Sequence, residues 1–397
     1  MSDPTLSEML AMAAISYRGF NLIGPASFKL VRLRQALDES FGRFPSVKDK
    51  WKVVWGPAAC GLSVFGLDDV VVYVAEAVGD PSNLAVVIRG TNPVSLADWI
   101  FGDLMFEQMV PWSFGEKVPA DAKISASTGL GLAIIRRLAW STEGAPVNGP
   151  VQDKTVSFSE TLEGWVKRIG ALFLSSLSSE IKNSIARLGD LNFDPIATLG
   201  LRHTSGQALK EFLRQRVSAA QDSEIYVTGH SKGGALSSTV ALWLADTQGR
   251  EVSPDESWDP ENRATIRCYS FAGPTAGNAA FADYSNARLE DRCHRIWNRM
   301  DIVPRAFVSA DLRKIPDDYK FSDIIDWPLK KLIDHVADKA EQLGYKQICG
   351  SGTALDCSLA EGMIFPTQIA HQHLDGYLEK IGLLKEMSAA ILFKPVL

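Results

Sequence analysis

Apolar positions along this chain fall into short β-type runs set between stretches of helical spacing. Residues 62–65, 70–75 and 84–88 read as consecutive strands, and the Gly-Asp-Pro-Ser-Asn segment at 79–83 reads as the turn that joins the last two into a hairpin. Helical spacing follows at 130–140 and, after the Ser205-Gly206 turn, at 208–217. Further β-type runs stand at 225–227, 266–271 and 294–297, with a helix-forming stretch at 235–245 after the first of them. Strands that alternate with helices predict an α/β sheet covered by helices.

Between residues 140 and 200 the alternation stops. Residues 141–154 are rich in Gly, Pro and Asn and read as loop. Residues 162–188 then place Leu162, Trp165, Ile169, Phe173, Ile181 and Leu188 at helical spacing among Glu163, Lys167, Arg168 and Glu180. This 141–200 segment is expected to be a helical insertion in a single domain spanning 1–397, either packed on the core or acting as a cap or lid.

The run at 225–227 leads directly into Gly229-His230-Ser231-Lys232-Gly233-Gly234 and then into the 235–245 helix. A Gly-x-Ser-x-Gly between strand and helix is the context of a nucleophile elbow, in which the serine sits on a sharp, strained turn. Close approach of the neighbouring main chain then calls for glycine at Gly229 and Gly233. A serine hydroxyl is a weak nucleophile until a base takes its proton and an acid orients that base. Asp301 stands just past the 294–297 run, where an acid is placed on the same sheet edge as the elbow. Three of the six histidines follow it. His335 falls inside a helical pattern, whereas His371 and His373 come at the entrance to the 374–378 run, so both are candidates for the base. His203, His230 and His294 precede the acid and read as structural. An oxyanion hole needs donors where charge develops; the N–H of Lys232 is placed to supply one, and Thr91, after the 84–88 strand, is either a second donor or an ordinary strand exit.

Composition narrows the class without changing this picture. The chain has 397 residues, 46% hydrophobic and 22% charged, which suits a globular protein with a large core. A net charge of -6 argues against nucleic acid as a partner. No transmembrane segment is visible, and the N-terminus lacks a positive n-region, so the chain reads as cytoplasmic as synthesised, with export lacking a cleavable signal left open. The first apolar stretch resembles an amphipathic helix containing Glu8. Five cysteines without paired spacing are expected to be reduced thiols. His371-x-His373 has no acidic or cysteine cluster to complete a metal site, so no metal or other cofactor is expected.

Together these motifs resemble the class 3 lipases, the fungal-type triacylglycerol lipase family of α/β-hydrolases. The family's strand end is matched by Arg89-Gly90-Thr91 and followed by Trp99 and Asp103; its elbow is matched at 229–234. Its Phe-Gly-x-Pro segment is resembled by Phe271-Ala272-Gly273-Pro274 through Asn278, and its Asn-x-x-Asp-Ile-Val-Pro motif is matched at 298–304. The resemblance implies an α/β-hydrolase fold with a mostly parallel central sheet flanked by helices. It also implies Ser231 as nucleophile, Asp301 as acid, and Thr91 with Lys232 as the oxyanion hole. A histidine shortly before a Tyr-Leu pair favours His373 as base. The implied partner is a lipid or ester substrate met at a lipid–water interface, cleaved through an acyl-enzyme. Phospholipase A1 or short-chain esterase activity would use the same residues, and a binding module that had lost the chemistry would keep the fold alone. Either 93–112, which is apolar, or the 141–200 insertion is suited to be the lid.

Overall fold

The computed structural model describes residues 4–19, 22–23, 26–61, 70–89, 104–141, 152–153, 187, 194, 202–203, 205–321, 327–350, 352–363 and 365–392. Two helices open the chain, α1 (Pro4–Ile15) and α2 (Ala26–Arg43), and lead to β1 (Trp51–Gly61), β2 (Val70–Ala77) and β3 (Asp80–Arg89). Next come α3 (Ala126–Ile135), the short β4 (Arg202–His203) and α4 (Leu209–Ser218). They are followed by β5 (Ser223–His230), α5 (Lys232–Asp246), β6 (Ala264–Phe271), α6 (Ala279–Leu289) and β7 (Cys293–Asn298). The C-terminal part supplies α7 (Trp327–Leu343), β8 (Thr353–Leu355), α8 (Phe365–Ala370) and α9 (Gly376–Ile381), the last two joined by a π turn at His371–Asp375.

These strands form one eight-stranded sheet in the order β8-β7-β6-β5-β3-β2-β1-β4. From β8 to β3 the neighbours are parallel; from β3 to β4 they are antiparallel. This is the mostly parallel α/β-hydrolase arrangement. The period-2 alternation of strands divides their side chains between two faces. Val72, Val74, Val86 and Ile88 pack with α3, α5 and α6 on one face, while Tyr73, Ala75, Ala85 and Val87 pack with α1 and α9 on the other. Both faces being covered, the central strands read as continuous apolar runs rather than alternating ones.

Several expectations shift. The first strand lies at Trp51–Gly61, ahead of the run at 62–65, which is outside the described residues. Gly56-Pro57 interrupts its sequence pattern, and register shifts between Val53 and Trp55 and between Trp55 and Ala58 absorb the interruption as bulges. The helix expected at 130–140 runs instead from Ala126 to Ile135, its start set by the Ser125 side chain, which accepts from the Thr128 N–H at 3.1 Å. Ala139–Trp140 instead pairs with Gln207–Ala208 as a short ribbon. The helices expected at 162–188, and most of the 141–200 insertion, lie outside the described residues.

Helix α1 is not a surface amphipathic helix: Met9 to Ile15 are all fully buried against the sheet. Glu8 is accommodated at its start by Lys50 Nζ at 3.0 Å and Trp51 Nε1 at 2.9 Å. The expectation of five reduced cysteines is also corrected, since Cys293 and Cys349 form a disulfide across a sequence separation of 56. It ties the first residue of β7 to the segment that leads into β8.

Candidate active site

Strand β5 is central, hydrogen-bonded along its length to β3 on one side and β6 on the other. Its last residue is His230, and Ser231 is the N-cap of α5 with φ 63° and ψ −131°. A non-glycine residue held there stores on the order of 1–3 kcal/mol of strain. Neighbours fix it: the Ser231 N–H donates to Phe271 O at 3.0 Å, and Ser231 O accepts the Gly234 N–H at 2.8 Å. A Cβ on Gly229 would stand 2.2 Å from Gly233 O, and one on Gly234 would stand 2.5 Å from Phe271 O. Close approach therefore requires glycine at 229, as the sequence indicated, and at 234 as well.

Asp301 follows the C-terminal end of β7 and is fully buried. Its Oδ2 accepts His373 Nδ1–H at 2.8 Å and the Tyr377 hydroxyl at 2.9 Å; its Oδ1 accepts the Val303 N–H at 3.0 Å. Tyr377 in turn accepts the Asn298 N–H at 2.9 Å. Burial first, then the Asp301 charge, holds the Tyr377 pKa well above its ordinary value, so the hydroxyl stays a donor. Tyr377 is four residues after His373, so helical spacing sets both on one side of the segment, facing the acid.

His373 lies on the π turn inside a helical segment, rather than at the entrance to a helical run as the sequence suggested. π turns inside α-helices recur at functional sites because they re-aim side chains. Asn298 pins this one to the end of β7, its Nδ2 donating to both the backbone and side-chain oxygens of Gln372 at 2.8 Å. Gln372 Nε2 completes the clamp by donating to Ser358 O at 2.8 Å.

His230 immediately precedes Ser231 and its ring contacts His373. A carbonyl oxygen can only accept, so the 2.6 Å contact to His373 O places a proton on His230 Nε2. Its Nδ1 is then an acceptor for the Tyr17 hydroxyl at 3.0 Å, just beyond α1. Burial, then the nearby charge of His373, lowers the His230 pKa well below the ordinary histidine value and keeps the ring neutral. The His230 and His373 rings lie 4.5 Å apart between centroids. Burial raises the Tyr17 pKa, with the Arg89 charge and the Ser231 hydroxyl opposing. Ser231 Oγ and His373 Nε2 are both buried; the Ser231 hydroxyl lies near that of Tyr17, and neither Ser231 Oγ nor His373 Nε2 makes a well-formed hydrogen bond among the described residues.

The remaining candidates separate cleanly. His371 faces Asp375 at 3.9 Å rather than Asp301. His335 is half-exposed on α7, 3.7 Å from Glu107, and His294 packs on Tyr269 at 4.7 Å. Lys232 is the first residue of α5, where backbone N–H groups have no intrahelical acceptor and the helix dipole favours negative charge. Thr91 lies outside the described residues, as do 93–103 of the apolar segment considered as a lid. Sequence reasoning assigned no part in the site to Tyr17 or Gln372, gave Asn298 no role beyond its place in the 298–304 motif, and read His230 as merely structural; that motif and the His373–Tyr377 interval were the signals that pointed to members of the shell.

The class 3 lipase family model matches residues 150–310, which include Ser231 and Asp301 and stop before His373. The crystal structure of M37 lipase is similar over 100% of this chain and 96% of its own, with a TM-score of 0.74 and 28% identity. A stretch of 105 residues is 30% identical to the lipase-like PAD4 of Arabidopsis thaliana, covering 25% of this chain and 17% of the plant protein. The chain thus spans about a sixth of the length of that curated relative. Among the described residues no helix is long and apolar enough to cross a membrane.

Proposed function

We propose, from the premise that this chain belongs to the class 3 lipase family, that it hydrolyses carboxylic esters of fatty acids, acylglycerols first among them, with Ser231 as nucleophile. The observation that carries the reading is the 2.8 Å His373–Asp301 bond together with a strained serine, with Ser231 Oγ and His373 Nε2 both buried and without a well-formed hydrogen bond.

In this mechanism His373 Nε2 takes the Ser231 proton as Oγ attacks the ester carbonyl. Asp301 accepts from Nδ1–H, fixes the tautomer and stabilises the charged ring. The Lys232 N–H, with Thr91 as second donor, receives the developing oxyanion. Collapse expels the alcohol, which leaves with the proton from His373 and an acyl group on Ser231. Water activated by the same ring then releases the acid. Tyr17 and His230 act as positioning residues, holding the His373 main chain against the elbow. Long-range ordering of this kind is what a pre-organised site requires.

Hydrolysis of p-nitrophenyl esters of increasing acyl length by the wild type and Ser231→Ala tests the reading. Loss of about four orders of magnitude or more in kcat with Ser231→Ala, and a long-chain preference in the wild type, is the expected result. A short-chain maximum would make the protein an esterase, and activity retained by Ser231→Ala would overturn the assignment.

A further inference from the structure

Strand β8 is three residues long, lies at the edge of the sheet and is at most half-buried. An element with so little buried surface is among the first to open locally. The residues just after it nonetheless reach the segment that carries His373. The Ser358 carbonyl accepts Gln372 Nε2 at 2.8 Å, and Cys357 Sγ stands 3.7 Å from Gly376 O. Gln372 is also held by Asn298 Nδ2 at the end of β7. β8 pairs with that same end, Leu355 opposite Asn298, and the Arg299 N–H donates to Leu355 O at 3.1 Å. The π turn is therefore held from two neighbouring strands, β7 and the weak edge strand beside it.

At its other end β8 is anchored through the Cys293–Cys349 disulfide. Cys293 opens β7, and Cys349 stands four residues before Thr353. Cys349 is held in the left-handed region at φ 57°, costly for a residue with a side chain, while its N–H donates to Asn286 Oδ1 on α6 at 2.6 Å. Gly352 is confined as well: its φ is 65°, and a Cβ there would stand 2.5 Å from Arg295 O. A covalent tie at the first residue of β7 thus fixes where β8 begins, and the register of β8 fixes where Ser358 falls.

Cys293 is buried, whereas Cys349 is only partly so. A thiolate from solvent would therefore attack Cys349 Sγ and expel the Cys293 thiolate; the second thiol of a dithiol would then close its own disulfide and free Cys349. Two electrons and two protons pass to the protein, and the dithiol leaves as a disulfide.

Resting on the hydrolase reading above, we infer that the Cys293–Cys349 bond is a redox switch on turnover: formed, it lets β8 hold the His373 turn in place; reduced by a dithiol, it lets β8 and residues 356–358 leave β7 and release Gln372. His373 and Asp301 then keep their side chains and lose their fixed frame, so the effect falls on kcat. Misplacing a catalytic group by about 1 Å costs up to about a hundredfold.

The test measures kcat and KM on a p-nitrophenyl ester, with hydrogen exchange on the same samples, for oxidised, dithiothreitol-reduced and reoxidised wild type, the reagent being removed under nitrogen before assay. The thiol count of the unfolded protein, three when oxidised and five when reduced, fixes the state each time. Reduction is expected to lower kcat about tenfold to a hundredfold with KM within about twofold, and reoxidation to restore it. Exchange should quicken at 353–358 and 371–377 while β5 stays protected. The Cys293→Ala/Cys349→Ala protein should turn over at the reduced rate in every condition, and Cys357→Ala should switch by the same factor as the wild type. An unchanged kcat after complete reduction overturns the proposal. So does loss of protection in β5, which would make the bond a staple of the whole fold. Hydrolysis through Ser231 that ignores the redox state removes the switch alone, whereas no hydrolysis in any state removes the hydrolase reading and the switch with it.

Discussion

Replacing Tyr377 by Phe removes one oxygen and two hydrogen bonds from the centre of the candidate site. The ring, fully buried against α1 and β7, keeps its volume, so no cavity larger than a hydroxyl forms. What changes is polar. The Asn298 N–H, now bonded to the hydroxyl at 2.9 Å, is left buried without an acceptor, which costs about 1–3 kcal/mol. Asp301 Oδ2 loses a donor at 2.9 Å, and a bond to a charged group is worth about 1.5–3 kcal/mol. The two terms share one atom and are not additive, so a loss of about 2–4 kcal/mol in urea unfolding at unchanged m is expected. The His373–Asp301 bond survives the substitution, so kcat should fall only about tenfold, far less than on removing Ser231. Because the hydroxyl's pKa lies well above its ordinary value, the stability difference should be the same from about pH 6 to 9. A stability change below about 0.5 kcal/mol, the range of a featureless surface substitution, would refute the reasoning by showing that the Asn298 N–H has another acceptor.

Other substitutions probe the elbow, a distant buried acid and the cross-link. Gly229→Ala puts a methyl 2.2 Å from Gly233 O and 2.8 Å from Ile88 O, both main-chain atoms, and should cost about 3 kcal/mol together with nearly all esterolysis; a well-folded, active variant would refute the close approach. Asp246, buried beside Trp112, Tyr284 and Arg288, is raised by burial from 3.8 to about 6. Between these values the folded state holds a proton that the unfolded state has released, so stability falls as pH rises through this window, by about 3 kcal/mol, and levels off above it. Asp246→Asn should remove that slope, and parallel pH–stability curves for the two proteins would contradict it. Thiol titration of the unfolded, unreduced protein should find three reactive thiols rather than five. Cys349→Ser, which opens a loop with a sequence separation of 56, should then lower stability by up to about 4 kcal/mol.

The parts of the fold that local pattern encodes were legible. β5, β6, β7 and the elbow announce themselves because apolar runs and turn glycines lie within a few residues of one another. Strand β1 was not, since Gly56-Pro57 breaks its pattern and only pairing with β2 shows how bulges absorb it. Glu8 made α1 look amphipathic; its partners Lys50 and Trp51, more than forty residues away, are what allow the helix to be buried. The same limit hides the support around His373. Tyr17 and His230 are separated by 213 positions, and His230 and His373 by 143, distances over which composition and spacing carry no signal. Cys293 and Cys349 are neighbours because β7 and β8 pair, a fact of topology rather than of cysteine spacing.

The most direct measurement is labelling with a fluorophosphonate probe followed by peptide mapping, on the wild type and on His373→Ala. A single adduct on Ser231, slowed by about a thousandfold or more in His373→Ala, is the expected result, because in the proposed mechanism the serine attacks only when this ring takes its proton. An adduct at another residue, or a Ser231 adduct that forms equally fast without His373, would contradict the account.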